Sequence, residues 1–548
     1  MNNIFSKFAT DRFRWWALVF LAIGLAIVII DNTVLNVAIP YILRDLNASL
    51  DGLQWVVSGY ALIIATLLIL MGRLGDIFGR KRVFIFGIVF FAAGSFIASV
   101  AKSVPVLFLG EAVIEAIGAA AMLTSSLSLL ASEFQGRERA IAFGVWGSVA
   151  GASASIGPLL GGYLTTYYSW RWSLRINVLV AIIAILGTVF IKESKGEQNK
   201  GRFDYLGTLL SGLGLFSLVF GFIEAQRYGW WNAKEVFKLG SLSLSLGSLS
   251  IVPVAFVVAV ILLVLFVIVE RRIEAQGGSP LLRISMFHNK GFSFSLATLG
   301  VISMGQFGVF FILPIFLQNV IGLNALKTGL VFLSSSISIM VVGPLSGFIA
   351  SRTSSRLVII VGMFFSVIGT FWLAQSLKVD ATALSLAPAL IFFGIGIGAT
   401  SAQLTNLSLS TVPLEQAGEA SAANSTIRQI GTSIGIAILG TVLASTVATQ
   451  IGHNIRNDQL IPDQAKEAIV SNISSASVES GQVKPAQAGD DLLVALTIKN
   501  DVNDGLTKAV QIAFYIADAF VLVGAICAFF LPRVSHHGPA SDTAQSPH

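Results

Sequence analysis

The sequence predicts an all-α protein that crosses a membrane many times. Of its 548 residues, 55% are hydrophobic and 12% are charged, and the mean hydropathy is +0.80. Average soluble proteins carry about 25% charged residues, so this chain has too little polar surface for a soluble fold. Repeated apolar runs of about 20 residues match the hydrocarbon thickness of a bilayer, and helices satisfy their backbone groups internally there.

Fourteen apolar runs predict fourteen membrane helices. An even number places both termini on one side, and Lys and Arg are most frequent in the segments on that side. By the positive-inside rule we expect both termini in the cytoplasm, and the net charge of +6 then reflects topology and not nucleic-acid binding. The runs lie near 15–43, 53–72, 82–101, 105–131, 138–165, 174–192, 205–225, 251–270, 292–318, 327–350, 357–376, 385–410, 421–447 and 510–531.

Charged segments on both sides of the seventh and eighth runs divide the chain into six, two and six spans. We expect the polar stretch 448–509 to be an outer loop, a solvated spacer in preference to an amphipathic helix. The predicted parts are an N-terminal six-helix bundle at 1–192, two linker helices with charged flanks at 193–290, a C-terminal six-helix bundle at 291–531 and a cytoplasmic tail at 532–548.

A glycine-rich charged turn, which we call the hinge, lies at 72–84 between the second and third runs. Gly72, Gly75 and Gly79 permit a tight turn and close helix approach. Asp76 and Arg80 can form charge pairs across a helix interface. The hinge can therefore hold two parts of the bundle together on one side of the membrane.

A fainter copy of the hinge occurs at 343–356, which indicates an internal duplication. The copy has Ser351 at the position of Asp76. We therefore expect it to keep the turn and to lack the charged contact.

Asp31 lies about 24 Å along the first predicted helix, inside the membrane. Removal from water favours the neutral form of a carboxyl group, so Asp31 could bind and release a proton. Asn36 and Pro40 soften or bend the end of this helix, and we include Asn36 among the polar residues of the site. The alternative is a purely structural Asp31, bonded to a neighbouring helix.

The fourth run carries Glu111 and Glu115, which share one helix face at the depth of Asp31. Acids on one face disfavour each other's charged form unless a cation is near, and we expect Arg175 to pair with one of them. Alternatively, Arg175 extends to the membrane surface and one glutamate is protonated. Arg428 is a further buried candidate, and a structural pair with Asp518 is conceivable.

The fifth run contains Gly157, Pro158, Gly161 and Gly162. Small residues at helical spacing let two helices approach and slide, and proline kinks a helix. This segment is therefore predicted to be a gate between the two six-helix bundles, although small residues are also ordinary packing contacts in membranes.

Four segments carry a family resemblance. The residues Asp-Asn-Thr-Val-Leu-Asn-Val-Ala-Ile-Pro at 31–40 resemble the signature of the fourteen-helix drug:proton antiporter family. The hinge resembles the loop after the second helix throughout the major facilitator superfamily, and 144–162 and 424–435 are similar to further motifs of the drug exporters. One departure is Ala112, where the family usually has an arginine.

The resemblance implies a major facilitator fold with fourteen helices, in the order six, two and six. It further implies a secondary active transporter of the bacterial cytoplasmic membrane that exchanges protons for amphipathic or cationic small molecules by alternating access. The sequence contains no phosphate-binding Gly-x-x-x-x-Gly-Lys-Ser/Thr motif and no cluster with metal-ligand spacing. We therefore expect no enzyme, no cofactor and no metal, and energy from a proton gradient.

The expected partners are a small-molecule substrate, protons and the lipid bilayer, and we expect a monomer. Two other functions remain open. One is a lipid or glycolipid flippase, or an exporter of an endogenous metabolite, on the same scaffold. The other is a receptor or assembly factor that transports nothing.

Overall fold

The computed structural model describes residues 2–46, 48, 50–195, 204–239, 242–244, 247–458, 461, 466 and 492–532. Within these residues, fourteen helices are long and apolar enough to cross a membrane, which confirms the predicted fold class. We number them α1 (Asn2–Asp45), α2 (Leu50–Phe78), α3 (Arg80–Ser99), α4 (Val104–Glu133), α5 (Gly136–Tyr167), α6 (Trp170–Gly187), α7 (Tyr205–Ile223), α8 (Ile251–Ala275), α9 (Lys290–Asn319), α10 (Ala325–Arg352), α11 (Ser355–Ser376), α12 (Ala383–Ser410), α13 (Ala417–Asn457) and α14 (Leu492–Ala528).

Polar caps define where several of these helices begin. The Asn289 side chain accepts hydrogen bonds from the first backbone N–H groups of α9, and Asn324 does the same for α10. Thr382 forms a reciprocal capping box at the start of α12. Such caps satisfy backbone donors that have no partner inside the helix, so they fix the boundaries between apolar runs.

A small hairpin connects α7 and α8 beyond the membrane. Its strands β1 (Phe237–Leu239) and β2 (Leu242–Leu244) are antiparallel, with Lys238 opposite Ser243. Phe237 packs edge-on against Trp55 of α2, with ring centroids 6.4 Å apart. The remaining short elements are helical turns at Ala225–Tyr228, Thr188–Phe190, Ile284–His288 and Leu414–Gln416.

The first and last six membrane helices meet along several helix pairs. Two of these are extended contacts, in which α5 packs along α10 and α2 packs along α13. Gly144 and Gly343 face each other in the first contact, where a Cβ atom on Gly343 would lie 2.5 Å from Cβ of Ser148. Glycine is therefore required for this helix approach. The division of the chain into six, two and six helices stays a prediction.

Helices α13 and α14 extend into the stretch that we predicted to be a polar loop. The prediction is wrong for 448–457 and 492–509, which are helical. Ile451 of α13 and Leu506 of α14 belong to one buried apolar cluster, and the Asn454 side chain donates a hydrogen bond of 3.1 Å to the carbonyl of Asp501. Pairing of the two helices hides apolar residues that a single helix would expose. Most of 459–491 and all of 533–548 lie outside the described residues.

Candidate functional site

A cavity of about 1000 Å³ lies between the first and last six helices. Its walls come mainly from α1, α2 and α5 on one side and α9, α10 and α13 on the other. It reaches Tyr41, Arg44, Tyr167 and Gln318, which lie at helix ends opposite the hinge, because successive helices run in opposite directions. The cavity is therefore open on the side away from the hinge.

Buried charged residues of the hinge close the cavity on the opposite side of the protein. Arg80 donates from Nε and Nη2 to Oδ1 of Asp76, at 3.0 and 2.9 Å, and from Nη2 to the carbonyl of Leu414 at 3.1 Å. A Cβ atom on Gly418, in the first turn of α13, would overlap the Asp76 carboxylate. The partial positive charge at a helix N-terminus stabilises a carboxylate in this position.

A second buried ion pair adds to this closure. Arg73 Nη1 lies 3.3 Å from Oε1 of Glu419, and the backbone N–H of Arg283 donates to Oε2 of Glu419 at 2.9 Å. Loss of one partner of a buried pair leaves an uncompensated charge and typically costs about 3–5 kcal/mol. Glu419 was not predicted from the sequence, where its only signal is an acidic residue near the start of an apolar run.

Two of the hinge glycines have different roles. A Cβ atom on Gly72 would lie 2.6 Å from Cβ of Ala422 and 2.8 Å from the carbonyl oxygen of Gly418, so α2 and α13 touch here. A Cβ atom on Gly75 would meet nothing closer than Cγ of Arg80, at 3.7 Å. The expectation that the approach at Gly75 requires glycine is wrong in this conformation, because a Cβ atom there would make only ordinary van der Waals contacts.

The third hinge glycine forms the break between α2 and α3. Gly79 has a φ angle of +113°, which side chains with a Cβ rarely adopt. The turn rests on the segment after α6, where the backbone N–H of Arg80 donates to the carbonyl of Ser194 at 2.9 Å and that of Lys81 donates to Glu193 at 3.0 Å. In the second copy, the one hydrogen bond of the Ser351 hydroxyl to any described residue goes to the carbonyl of Phe348 in its own helix.

Three acids that the sequence places at one depth meet inside the N-terminal half. Asp31, Glu111 and Glu115 are each 0% exposed, and one carboxylate oxygen from each lies within 4.8 Å of the other two. Within the described residues, no Lys, Arg or His side chain forms an ion pair with them. We call these three residues the acidic cluster.

Neutral side chains hold the acidic cluster. Nδ2 of Asn177 on α6 donates to Oδ1 of Asp31 at 2.6 Å and to Oγ of Ser95 at 3.0 Å. Ser95 in turn donates to Oε1 of Glu115 at 2.6 Å. Both oxygens of Glu111 and one oxygen of each other acid have no hydrogen-bond donor among the described residues.

The glutamates lie in an irregular part of α4. Residues Phe108–Glu115 form a π-helical stretch, a feature often found at functional sites. Gly94 of α3 faces this stretch, and a Cβ atom there would lie 2.6 Å from the carbonyl oxygen of Gly110. This close packing of α3 on α4 brings Ser95 against Glu115.

Arg175 does not pair with the acidic cluster, so that prediction is wrong. Its guanidinium lies over the ring of Trp172, 5.3 Å from the centroid. Asn177 faces the acids, and a residue two positions earlier points about 200° away around the helix. Arg175 is therefore turned to the opposite face of α6.

Tyr60 lies between the cavity and the acidic cluster. Its side chain borders the cavity but is only 2% exposed, and its hydroxyl has no hydrogen-bond partner among the described residues. It interacts electrostatically with all three acids, none of which borders the cavity itself. Sequence reasoning missed Tyr60 because one tyrosine in an apolar helix has no distinguishing pattern.

The small residues of α5 divide between two neighbours. Gly157 packs on Thr33 and Gly161 on Val34, both in α1 of the same half, whereas Pro158 and Gly162 border the cavity. Leu159 of the same segment meets Gly329 of α10, and the predicted role of the segment as a gate between the bundles stays a prediction. Gly144 and Gly151, earlier in α5, also contact α10.

Arg428 on α13 also borders the cavity, in which it is half-buried. Its Nη2 donates to Oγ1 of Thr405 at 2.8 Å, and its guanidinium carbon lies 6.0 Å from the centroid of Trp146. The conceivable pair with Asp518 does not form, and Oδ1 of Asp518 has no partner among the described residues. The side chain of Asn36 lies outside the described part of the structure.

An ion pair joins α1 and α6 on the open side of the protein. Arg171 contacts Asp45 through Nη1, and Nε1 of Trp170 donates to the same carboxylate at 3.2 Å. The hydrogen bond from Arg171 lowers the pKa of Asp45 below its ordinary value, so the carboxylate stays charged at neutral pH. A lowered pKa means that the pair stabilises the fold at neutral pH and that this stabilisation is lost in acid.

Two sets of membrane helices around one cavity, open on one side and closed by buried charges on the other, define a helical membrane transporter and not an enzyme. The Major Facilitator Superfamily model matches residues 21–251 and 239–436, and the chain belongs to this superfamily. A solved proton:xylose symporter of the superfamily has the same fold, with a TM-score of 0.59 at 11% identity, covering 96% of this chain and 98% of the symporter.

Curated relatives confirm the resemblance to the drug-efflux members. The chain is 33% identical to a puromycin resistance protein of Streptomyces alboniger, over 80% of this chain and 84% of the relative. It is 30% identical to the multidrug resistance protein Stp of Mycobacterium tuberculosis, over 84% of this chain and 82% of the relative. It is also 28% identical to a tetracenomycin C resistance and export protein of Streptomyces glaucescens, over 94% and 91%.

Gly72→Ala and Gly75→Ala form a matched pair that tests the hinge contact. We expect Gly72→Ala to lower the melting temperature of the purified protein, because overpacking against α13 typically costs about 1–3 kcal/mol. Gly75→Ala should leave it unchanged or raise it, since alanine in a helix is favoured over glycine by about 0.5–1 kcal/mol. Equal melting temperatures for the two variants would contradict the assigned contact.

Proposed function

We propose that the protein is a proton-coupled exporter of amphipathic small molecules, including drugs, in the bacterial cytoplasmic membrane. The observation that carries this proposal is the acidic cluster, enclosed without a cation beside a cavity that is open on one side. The names of the relatives, among them a puromycin resistance protein and a multidrug resistance protein, support drugs as substrates. The hinge would face the cytoplasm, as its basic residues indicate.

Three buried carboxylates at this distance cannot all be charged. Two unit charges roughly 5 Å apart repel by on the order of 3 kcal/mol at an effective dielectric constant of 20. The hydrogen bonds from Asn177 and Ser95 reach only two of the three acids. The cluster therefore has to hold protons, and a change in its surroundings changes how many it holds.

Tyr60 provides the connection between the cluster and the cavity. In this proposal the hydroxyl moves into hydrogen-bonding distance of a carboxylate of the cluster, gives it a proton and takes one from a hydronium ion in the cavity, so the residue ends unchanged. The proton then reaches the acids from outside the cell while the hinge is closed. When the halves rock and the hinge opens, the cluster releases protons toward the cytoplasm, and a substrate enters the cavity from that side.

Vesicles containing the purified protein test this function. A dye inside the lumen reports pH, and two xanthene dyes of opposite charge, fluorescein and rhodamine 123, serve as transport probes beside a labelled phospholipid. Uptake of either dye into an acidic lumen, with loss of protons from it beyond that of protein-free vesicles, supports proton-coupled export. Movement of the phospholipid alone would indicate a flippase, and no movement of any probe would favour the receptor alternative.

Asp31→Asn should abolish accumulation driven by a pH gradient while leaving the exchange of labelled for unlabelled dye intact. The amide cannot take up a proton but keeps the size of the side chain, so substrate binding and rocking persist without coupling. Asp518→Asn is the matched control, because Asp518 lies in α14 outside the cluster and the cavity. Gradient-driven accumulation by the Asp31 variant at the wild-type level would refute the assigned role.

Tyr60→Phe should slow gradient-driven transport several-fold without weakening dye binding, because only the hydroxyl that passes protons is lost. Tyr41→Phe serves as the control, since Tyr41 is an exposed tyrosine at the open end of the same cavity. Transport rates and binding constants are measured on the same preparations. A loss of binding in Tyr60→Phe, or an equal loss of rate in both variants, would show that the hydroxyl has another role.

A further inference from the structure

The charges that border the cavity are all positive among the described residues. They are Arg44, exposed at the open end, and Arg428, deep between the halves. None of the three acids of the acidic cluster borders the cavity. The residues proposed to bind protons and the charged residues that could contact a substrate therefore lie in different places.

Arg428 has unused hydrogen-bonding capacity. Within the described residues it forms no ion pair with a carboxylate, and its one hydrogen bond goes to the hydroxyl of Thr405. A guanidinium offers five N–H donors in a fork that matches two oxygens of an anion. The residue lies about 16 Å along α13, at membrane depth, where charges normally have partners.

The cavity that Arg428 borders favours a flat organic molecule. Trp146 lies beside the guanidinium, and elsewhere in the cavity wall Phe310 and Phe332 stack at 5.6 Å with an angle of 24° between the rings. Gln306 adds an amide to the same lining. Aromatic surfaces hold the apolar body of a ligand, and the few polar groups fix its orientation.

We propose that Arg428 binds an anionic group, so that the transported molecules are aromatic amphiphiles with one carboxylate or ionised phenol. This substrate class rests on the proposed exporter function. The anion supplies the partner that the protein does not, and a lipophilic cation is disfavoured by the like charge of Arg428. The acidic cluster then serves protons alone.

Fluorescein and rhodamine 123 test the proposal because they share a ring system and differ in charge. Binding of each is measured by fluorescence polarisation on the detergent-purified full chain. We expect saturable binding of fluorescein and at least a tenfold weaker constant in Arg428→Gln, with partial recovery in Arg428→Lys, which keeps the charge but not the fork. Rhodamine 123 should bind more weakly than fluorescein and should not lose affinity in Arg428→Gln.

Arg44→Gln is the control for general electrostatic attraction of the anionic dye. We expect it to change the fluorescein binding constant only about twofold, because exposed charges are screened. The melting temperature of each variant shows whether it is folded. Binding of rhodamine 123 alone, or equal binding of both dyes in wild type and Arg428→Gln, would overturn the proposal.

The vesicle assay separates this proposal from that of proton-coupled export. Fluorescein transport that depends on Arg428 but not on the pH gradient would support the anion site and contradict proton coupling. Gradient-driven transport of rhodamine 123 that is unchanged in Arg428→Gln would support proton coupling and contradict the anion site.

Discussion

The contact between the hinge and the start of α13 determines which side of the protein is open. Asp76 lies against the N-terminus of α13, while Arg80 reaches the carbonyl of Leu414 and Arg73 pairs with Glu419. The four charged side chains are buried in this contact, so removal of any one of them would leave an uncompensated charge. The closed hinge and the opening at the other end of the cavity occur together, because the same helices form both.

The acidic cluster and the cavity are neighbours with different chemistry. The cluster is enclosed by hydrogen bonds from Asn177 and Ser95 in α6 and α3, and it has no contact with the second half of the protein among the described bonds. The cavity is shared by both halves and carries Arg428 from the second. In the proposed mechanism, protonation acts on the packing within one half, whereas a substrate would lie between the two.

The fold was predictable because lipid leaves one solution for an apolar chain of this kind, namely helices of about 20 residues. The acids were predictable for a similar reason, since charge inside an apolar run is costly and conspicuous. The direction in which a side chain points could not be predicted from the sequence. Arg175 and Asn177 are two residues apart and point to opposite sides of α6, and only the packed structure shows which one faces the acids.

Other parts of the site were invisible in the sequence for physical reasons. Ser95 and Tyr60 are neutral residues that also occur as ordinary packing groups in membrane helices. The π-helical stretch of α4 and the extension of α13 and α14 beyond the membrane depend on contacts with neighbouring helices, which a linear pattern does not encode. Gly72 and Gly75 look equivalent in the chain, yet only Gly72 lies too close to another helix to leave room for a Cβ atom.

Helix α7 lies over the line where the two halves meet. Val219 and Phe220 pack with Leu62 of α2, and Ile430 of α13 joins the same apolar cluster. Rotation of the halves must shear this layer, which apolar side chains allow without breaking hydrogen bonds. Its outer end is less free, because Nε1 of Trp230 is bonded to Oγ1 of Thr441 at 2.9 Å. The hairpin at that end packs through Phe237 on Trp55 of α2, so the outer end of the pair α7 and α8 is tied to both halves and limits how far they can separate there.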